Sequence, residues 1–158
     1  MIPRVTIRRE IPGTRPLELD HLLLDVNGTI ANRAHLIEGV EERIGRIRDQ
    51  LEVHLLSADT LHNLEETAAR LGVAATRVTN GTQKRDYAVE LGTERCAAVG
   101  NGLNDVPMLE AVRLGIVVVG PEGAGGPTVR AADVVCASIL DALDLLLEDD
   151  TTKSTLRP

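Results

Sequence analysis

Aromatic side chains are almost missing from this sequence: there is one tyrosine, Tyr87, and neither phenylalanine nor tryptophan. A core without rings must be built from Leu, Val, Ile and Ala, and the 43% hydrophobic content supplies enough of them. Lysine is as scarce, with Lys84 and Lys153 the whole complement, so the position of each is informative. No cluster of basic residues interrupts a formal net charge of −7, which argues against nucleic acid or an anionic membrane as partner. Cys96 and Cys136 lack metal-ligand spacing and sit in apolar runs, the pattern of buried free thiols in a reducing compartment. His21, His35, His54 and His62 show no ligand spacing either and read as surface or core residues. No apolar run approaches membrane-spanning length, and no stretch reads as a signal peptide, so the expectation is a cytoplasmic protein.

What is present is a regular alternation. Val5 to Arg9 alternates as an edge strand should, and Pro12, Gly13 and Pro16 break the chain after it. Buried strands are expected at Leu19 to Val26, Glu52 to Ser57, Arg95 to Gly100 and Ile116 to Gly120, with further strands at Ala74 to Thr79 and Asp133 to Cys136. Helical spacing appears at Glu38 to Leu51, Leu61 to Leu71, Gly81 to Leu91, Asn104 to Arg113 and Ile139 to Leu147. PEGAGGP, after Gly120, reads as a loop. The length of 158 residues suits one domain, taken as 1–150, with Glu148 to Pro158 read as a mobile tail and 151–158 set outside the domain. Continuous apolar strands alternating with helices imply an α/β fold, a parallel Rossmann-like sheet with helices on both faces. Such sheets bind ligands at the carboxyl ends of their strands.

Those ends carry the chemistry. The first core strand delivers Asp25, then Asn27-Gly28-Thr29; the second delivers Ser57; the third delivers the run Gly100 to Asp105, GNGLND. Lys84 lies between the second and third, near the start of a helix. A carboxylate, a hydroxyl, an ammonium and a second carboxylate are what phosphoryl transfer through an aspartyl intermediate requires. Each piece also has a plainer reading. Asn-Gly favours a two-residue hairpin, Ser57 could be a turn or cap residue, Lys84 a solvated charge, and GNGLND a turn before a capped helix.

In their order and spacing the four pieces resemble the haloacid dehalogenase (HAD) superfamily. There the first motif reads DxDGT or DxTGT, the second is Ser or Thr, the third is Lys, and the fourth is commonly GDGxND. The run AVGNGLNDVPMLEAVRLGIVVVGPEG, with DVNGT, SADT and the ending STLR, is most similar to the soluble P-type ATPase-like group. The resemblance implies that Asp25 is the nucleophile and that Ser57 and Lys84 bind the phosphoryl group, with Thr29 and Asn104 in support. It implies Mg²⁺ held by Asp25, Asp105, the main-chain carbonyl of Asn27 and, through its amide oxygen, Asn101. It places the strand of Asp25 centrally, between those of Ser57 and Asn101. Two residues depart from the pattern. Asn27 stands where the phosphatases have the acid that protonates the leaving group, and Asn101 where an Asp contacts the metal.

The stretches from Asp25 to Ser57 and from Ser57 to Lys84 are taken up by a helix and a strand each, which leaves no room for a cap domain. The resulting expectation is a capless, slow, Mg²⁺-dependent phosphohydrolase acting on a small phosphorylated substrate, its open site covered by a neighbour in a homo-oligomer. Asn27 and Asn101 favour two rivals: a non-catalytic or regulatory relative that binds phosphate, metal or an unknown protein, and a phosphoryl acceptor whose long-lived phosphoenzyme is itself the signal.

Overall fold

The computed structural model describes residues 6–158, so Val5 of the expected edge strand lies outside it. Six parallel strands make the central sheet: β3 (His21–Leu24), β6 (Glu52–Ser57), β7 (Ala74–Arg77), β8 (Cys96–Gly100), β9 (Leu114–Val118) and β10 (Val134–Cys136), in the order β10-β9-β8-β3-β6-β7. Strand β3 is central and buried along its whole length. A strand with both faces covered should be a continuous apolar run, and Leu22, Leu23 and Leu24 are that run.

Helices close both faces. On one, Leu22, Leu24, Val53 and Leu55 pack with α1 (Val40–Ile47), α2 (Leu64–Leu71) and α6 (Ile139–Leu147). On the other, Leu23, Leu56 and Ala98 meet Ala88 of α3 (Gly81–Leu91) and Met108 and Leu109 of α4 (Val106–Ala111). Aliphatic side chains do fill both cores, as the near absence of aromatics requires.

Several expectations are corrected. The segment from Leu19 to Val26 is not one strand: β2 (Leu17–Leu19) pairs antiparallel with β1 (Ile7–Arg9), and Asp20 separates it from β3. The Asp20 carboxylate takes two bonds from the Arg95 guanidinium, at 3.0 and 3.1 Å, a polar clamp at the break that hydropathy does not reveal. The helix expected from Asn104 instead begins as a 3₁₀ turn, Leu103–Asp105, before α4, because Pro107 belongs in a first turn and fixes the start there. The Gly-rich loop contains the start of α5 (Gly126–Ala131), again with proline in the first turn. A small hairpin, β4 (Ala31–Asn32) with β5 (His35–Leu36), fills the way to α1.

In place of a featureless tail the chain ends in α7 (Asp149–Leu156). Its Thr152 is buried and donates its hydroxyl to the carbonyls of Leu145 and Glu148. Among the described residues no helix is long and apolar enough to cross a membrane.

Candidate active site

Strand β3 runs straight into Asp25, whose amide donates to the Val99 carbonyl of β8 at 3.0 Å, so the sheet itself fixes where the carboxylate stands. The chain then folds tightly: the Val26 carbonyl accepts the amides of Thr29, Ile30 and Ala31 at 3.1, 3.0 and 3.0 Å. Asn27-Gly28 therefore does not make the two-residue hairpin that its composition allowed. Gly28 has φ 85°, and a Cβ there would come within 2.7 Å of Asn101 Nδ2, so both backbone and space demand glycine. The turn brings Thr29 back beneath Asp25, where its buried hydroxyl donates to Oδ2 at 3.1 Å and also lies 3.3 Å from Asn101 Oδ1.

Lys84 comes from the first turns of α3, a helix capped by Asn80, whose side chain accepts the Gln83 amide. Its Nζ donates to Asp25 Oδ1 at 2.9 Å and to Asp105 Oδ1 at 2.7 Å, and the side chain is sealed from solvent. The scarce lysine is thus no surface charge. Asp105 is held in turn by the amides of Asn101 and Gly102, which donate to its Oδ2 at 2.9 and 3.1 Å. It packs so tightly on the end of β8 that a Cβ on Gly100 would sit 2.4 Å from its carboxyl carbon.

Two buried carboxylates share one ammonium, so the cluster is short of positive charge. The pKa of Asp25 is pushed up to about 6, first by burial and then by the charge of Asp105, against the pull of Lys84 and the Thr29 bond. Burial also opposes the charge on Lys84, but Asp25 and Asp105 outweigh it and hold its pKa above the ordinary value. A divalent cation would relieve this imbalance, and the available donors suit one. Asp25, Asp105, the Asn101 amide oxygen and the Asn27 main-chain carbonyl are all oxygen ligands, the set that a hard cation such as Mg²⁺ prefers. The Asn101 amide nitrogen donates to the Gly123 carbonyl at 3.2 Å, which keeps its oxygen turned toward Thr29.

Asp25, Thr29, Lys84, Asn101 and Asp105 thus form one hydrogen-bonded cluster. Ser57 stands buried at the end of the neighbouring strand, its hydroxyl oxygen accepting the Asp59 amide at 2.9 Å. Asn27 is half-buried and pairs amide to amide with Asn63, at 3.4 and 3.3 Å. Asn104 is exposed rather than part of the cluster.

Some contributors have no signal in the chain. Asn63 falls inside the helix expected at Leu61 to Leu71 but stands just before α2, and Thr128, fully buried, donates to the Gly102 carbonyl from α5 and steadies the GNGLND loop. Exposed Leu61, Leu103 and Val119 ring the strand ends. His35 and His62 are exposed and His21 and His54 buried, in keeping with surface and core positions, but spacing along the chain does not show that His21 and His54 meet at the amino ends of β3 and β6. Only the in-register pairing of those strands, His21 beside Glu52, brings them together.

No family model matches the chain. Among curated proteins, the uncharacterized protein MJ0073 of Methanocaldococcus jannaschii is 45% identical over 64 residues, 40% of this chain and 69% of that one. Among solved structures, a protein assigned as a HAD family hydrolase from Streptomyces avermitilis superposes with a TM-score of 0.66 at 19% identity, covering 81% of this chain and 84% of the other. The 3-deoxy-D-manno-octulosonate 8-phosphate phosphatase of Moraxella catarrhalis, solved with magnesium, phosphate and KDO, gives 0.65 at 15% identity, covering 86% and 90%. The chain therefore has the fold of the HAD superfamily and belongs to one family with the Methanocaldococcus protein.

Proposed function

We propose that the protein is a Mg²⁺-dependent phosphohydrolase that works through a phosphoaspartate on Asp25. The observation that carries this reading is the buried Lys84 bridge, which aims one carboxylate of a positively underfilled cluster out of the central strand. A carboxylate oxygen of Asp25 attacks phosphorus, the bond from phosphorus to the leaving oxygen breaks, and that oxygen takes a proton from water. A second water then cleaves the acyl phosphate, returning the carboxylate and releasing inorganic phosphate. Lys84, Thr29 and Ser57 hold the phosphoryl oxygens, whose charge grows in the transition state. Mg²⁺ on Asp25, Asp105, Asn101 and the Asn27 carbonyl would neutralise part of that charge.

No separate cap domain stands over the strand ends in this reading. A groove beside Thr29, lined by Asn32, Ile37, Val119, Pro121, Ser138 and Leu140, is mainly apolar and suits a leaving group with a hydrophobic part. Structural neighbours that are phosphatases of small phosphorylated metabolites support the same reading.

A structure determined with Mg²⁺ and beryllium fluoride tests the proposal. The analogue is expected on the Asp25 carboxylate, together with measurable turnover of p-nitrophenyl phosphate. Analogue bound away from Asp25, or bound there without any turnover, would leave the regulatory reading in its place. That reading draws its support from the two amides, Asn27 and Asn101.

A second expectation concerns the metal. Asn101 offers an oxygen but no charge, and affinity for a hard dication follows ligand charge. Asn101→Asp should therefore tighten Mg²⁺ binding by about tenfold. Calorimetric titration of both proteins checks this, and unchanged or weaker binding in the variant would count against Asn101 as a ligand.

A further inference from the structure

At the amino ends of β3 and β6, at the other end of β3 from Asp25, three side chains converge on one point. His21 Nδ1 and His54 Nε2 face each other at 3.1 Å. Glu52 brings one carboxylate oxygen to 3.7 Å from the first nitrogen and the other to 3.6 Å from the second. Parallel pairing explains the meeting. His21 lies beside Glu52 in register, and His54, two residues on, shares the same face of β6. Both histidines are buried while the Glu52 side chain is 64% exposed, so the cluster is walled on its protein side and open through its carboxylate.

We propose that His21, His54 and Glu52 form a second metal site, selective for a late first-row divalent cation of which Zn²⁺ is the type. An ion about 2.0–2.1 Å from each imidazole nitrogen, the usual zinc–histidine distance, would see the two nitrogens at an angle of about 100°. That angle lies between octahedral and tetrahedral values. The exposed Glu52 carboxylate is free to close on the ion from its present 3.6 and 3.7 Å, and it would leave a fourth position open to water or a partner's ligand. Imidazole nitrogens favour zinc and its neighbours over Mg²⁺, whereas the Asp25 end offers oxygen alone. The two ends of one strand would thus hold two different ions.

The surroundings are those of a ligand rather than of a chance pair. His54 Nδ1 is engaged by the Tyr87 hydroxyl at 2.8 Å, which fixes the ring and directs Nε2 at the meeting point. The one tyrosine of the chain is therefore spent on orienting this histidine. Cys96 is the register neighbour of His21 on the other side, but its thiol turns to the Gly92 carbonyl at 3.3 Å and stays outside the set. The site clamps the amino ends of β3 and β6 and stands independently of any reading of Asp25.

The test is a zinc titration of the metal-stripped full chain in excess Mg²⁺, with Co²⁺ absorption as a report on coordination. One equivalent of Zn²⁺ is expected, and the Co²⁺ form should show the strong visible bands of a low-coordinate site. His54→Gln should remove binding. Glu52→Gln, at an exposed position that does not threaten folding, should weaken it by at least about tenfold, and Tyr87→Phe by about 10–100-fold, the usual loss for an orienting group. Asp25→Asn should leave zinc affinity unchanged. Wild type that takes up no Zn²⁺, or Glu52→Gln that binds as tightly as wild type, overturns the proposal. A zinc affinity that falls with Asp25→Asn instead assigns the ion to the other end of the strand and overturns it equally.

Discussion

Asn27→Asp is expected to speed hydrolysis of alkyl phosphates at least about tenfold, and Asp25→Asn to abolish turnover of alkyl and aryl phosphates alike. Positioned acid–base catalysis contributes about 10²–10⁴-fold, or roughly 3–5 kcal/mol of barrier, and an amide cannot supply it. The wild-type protein should accordingly prefer aryl phosphates, whose leaving groups need little protonation. The reciprocal Asn27–Asn63 pair makes the gain plausible in geometry. Asn63 Nδ2 can donate to an ionised Asp at position 27, and Asn63 Oδ1 can accept from a protonated one, so both states of the new acid have a partner. Steady-state rates on matched alkyl and aryl esters decide the matter. Because Asn27 precedes Gly28 and can deamidate, intact mass must confirm that the wild type carries no aspartate. Alkyl turnover that stays flat in Asn27→Asp would show that another group supplies the proton. Turnover that survives Asp25→Asn would sink the phosphoaspartate mechanism itself.

Lys84→Met should destabilise the metal-free protein by about 3–5 kcal/mol, the usual consequence of stripping one partner from a buried ion pair. For a chain of this length that is a fall in Tm of roughly 10 °C. The loss is large because Asp25 and Asp105 would then face one another without a counter-charge. Adding Asp25→Asn to Lys84→Met should recover much of it, and the double-mutant cycle measures how much. The sign of the pH dependence follows from the raised pKa of Asp25. Its folded value of about 6 exceeds the ordinary 3.8, so between these values the folded state binds more protons than the unfolded one. Metal-free wild type should therefore lose stability as pH rises through that window, and Mg²⁺ should restore it. Chemical denaturation in chelator across pH 4–8 checks both. A Lys84→Met cost below about 1 kcal/mol, or no recovery in the double variant, would mean that the cluster is hydrated and its charges screened.

The architecture was legible where one physical cause dominates. HLLL and EVHLLS are apolar on both faces because the sheet covers both, and helix spacing identified α2, α3 and α6 for the same reason. Asp25, Lys84 and Asp105 were legible because chemistry at the strand ends restricts residue type more than packing does. The errors fall where a contact distant in sequence decides. Arg95 reaches Asp20 and separates β2 from β3. Asn63 meets Asn27 only because the parallel pairing of β3 and β6 sets the loops that follow them side by side. His21 and His54 become neighbours through strand register, which spacing along the chain cannot express. The small helices α5 and α7 were hidden by glycine, proline and short polar residues, whose helical use depends on the caps and anchors around them.

The near absence of lysine has a practical side. Lys84 is sealed beneath the strand ends, whereas the Lys153 side chain on α7 is 37% exposed. An acylating reagent applied to the native chain therefore meets one lysine and misses the other. Lys153 becomes the one lysine side chain open to a dye or a surface tether. Slow modification of Lys84 becomes a clock for the moments when α3 lifts from the sheet, readable by mass spectrometry without any substrate.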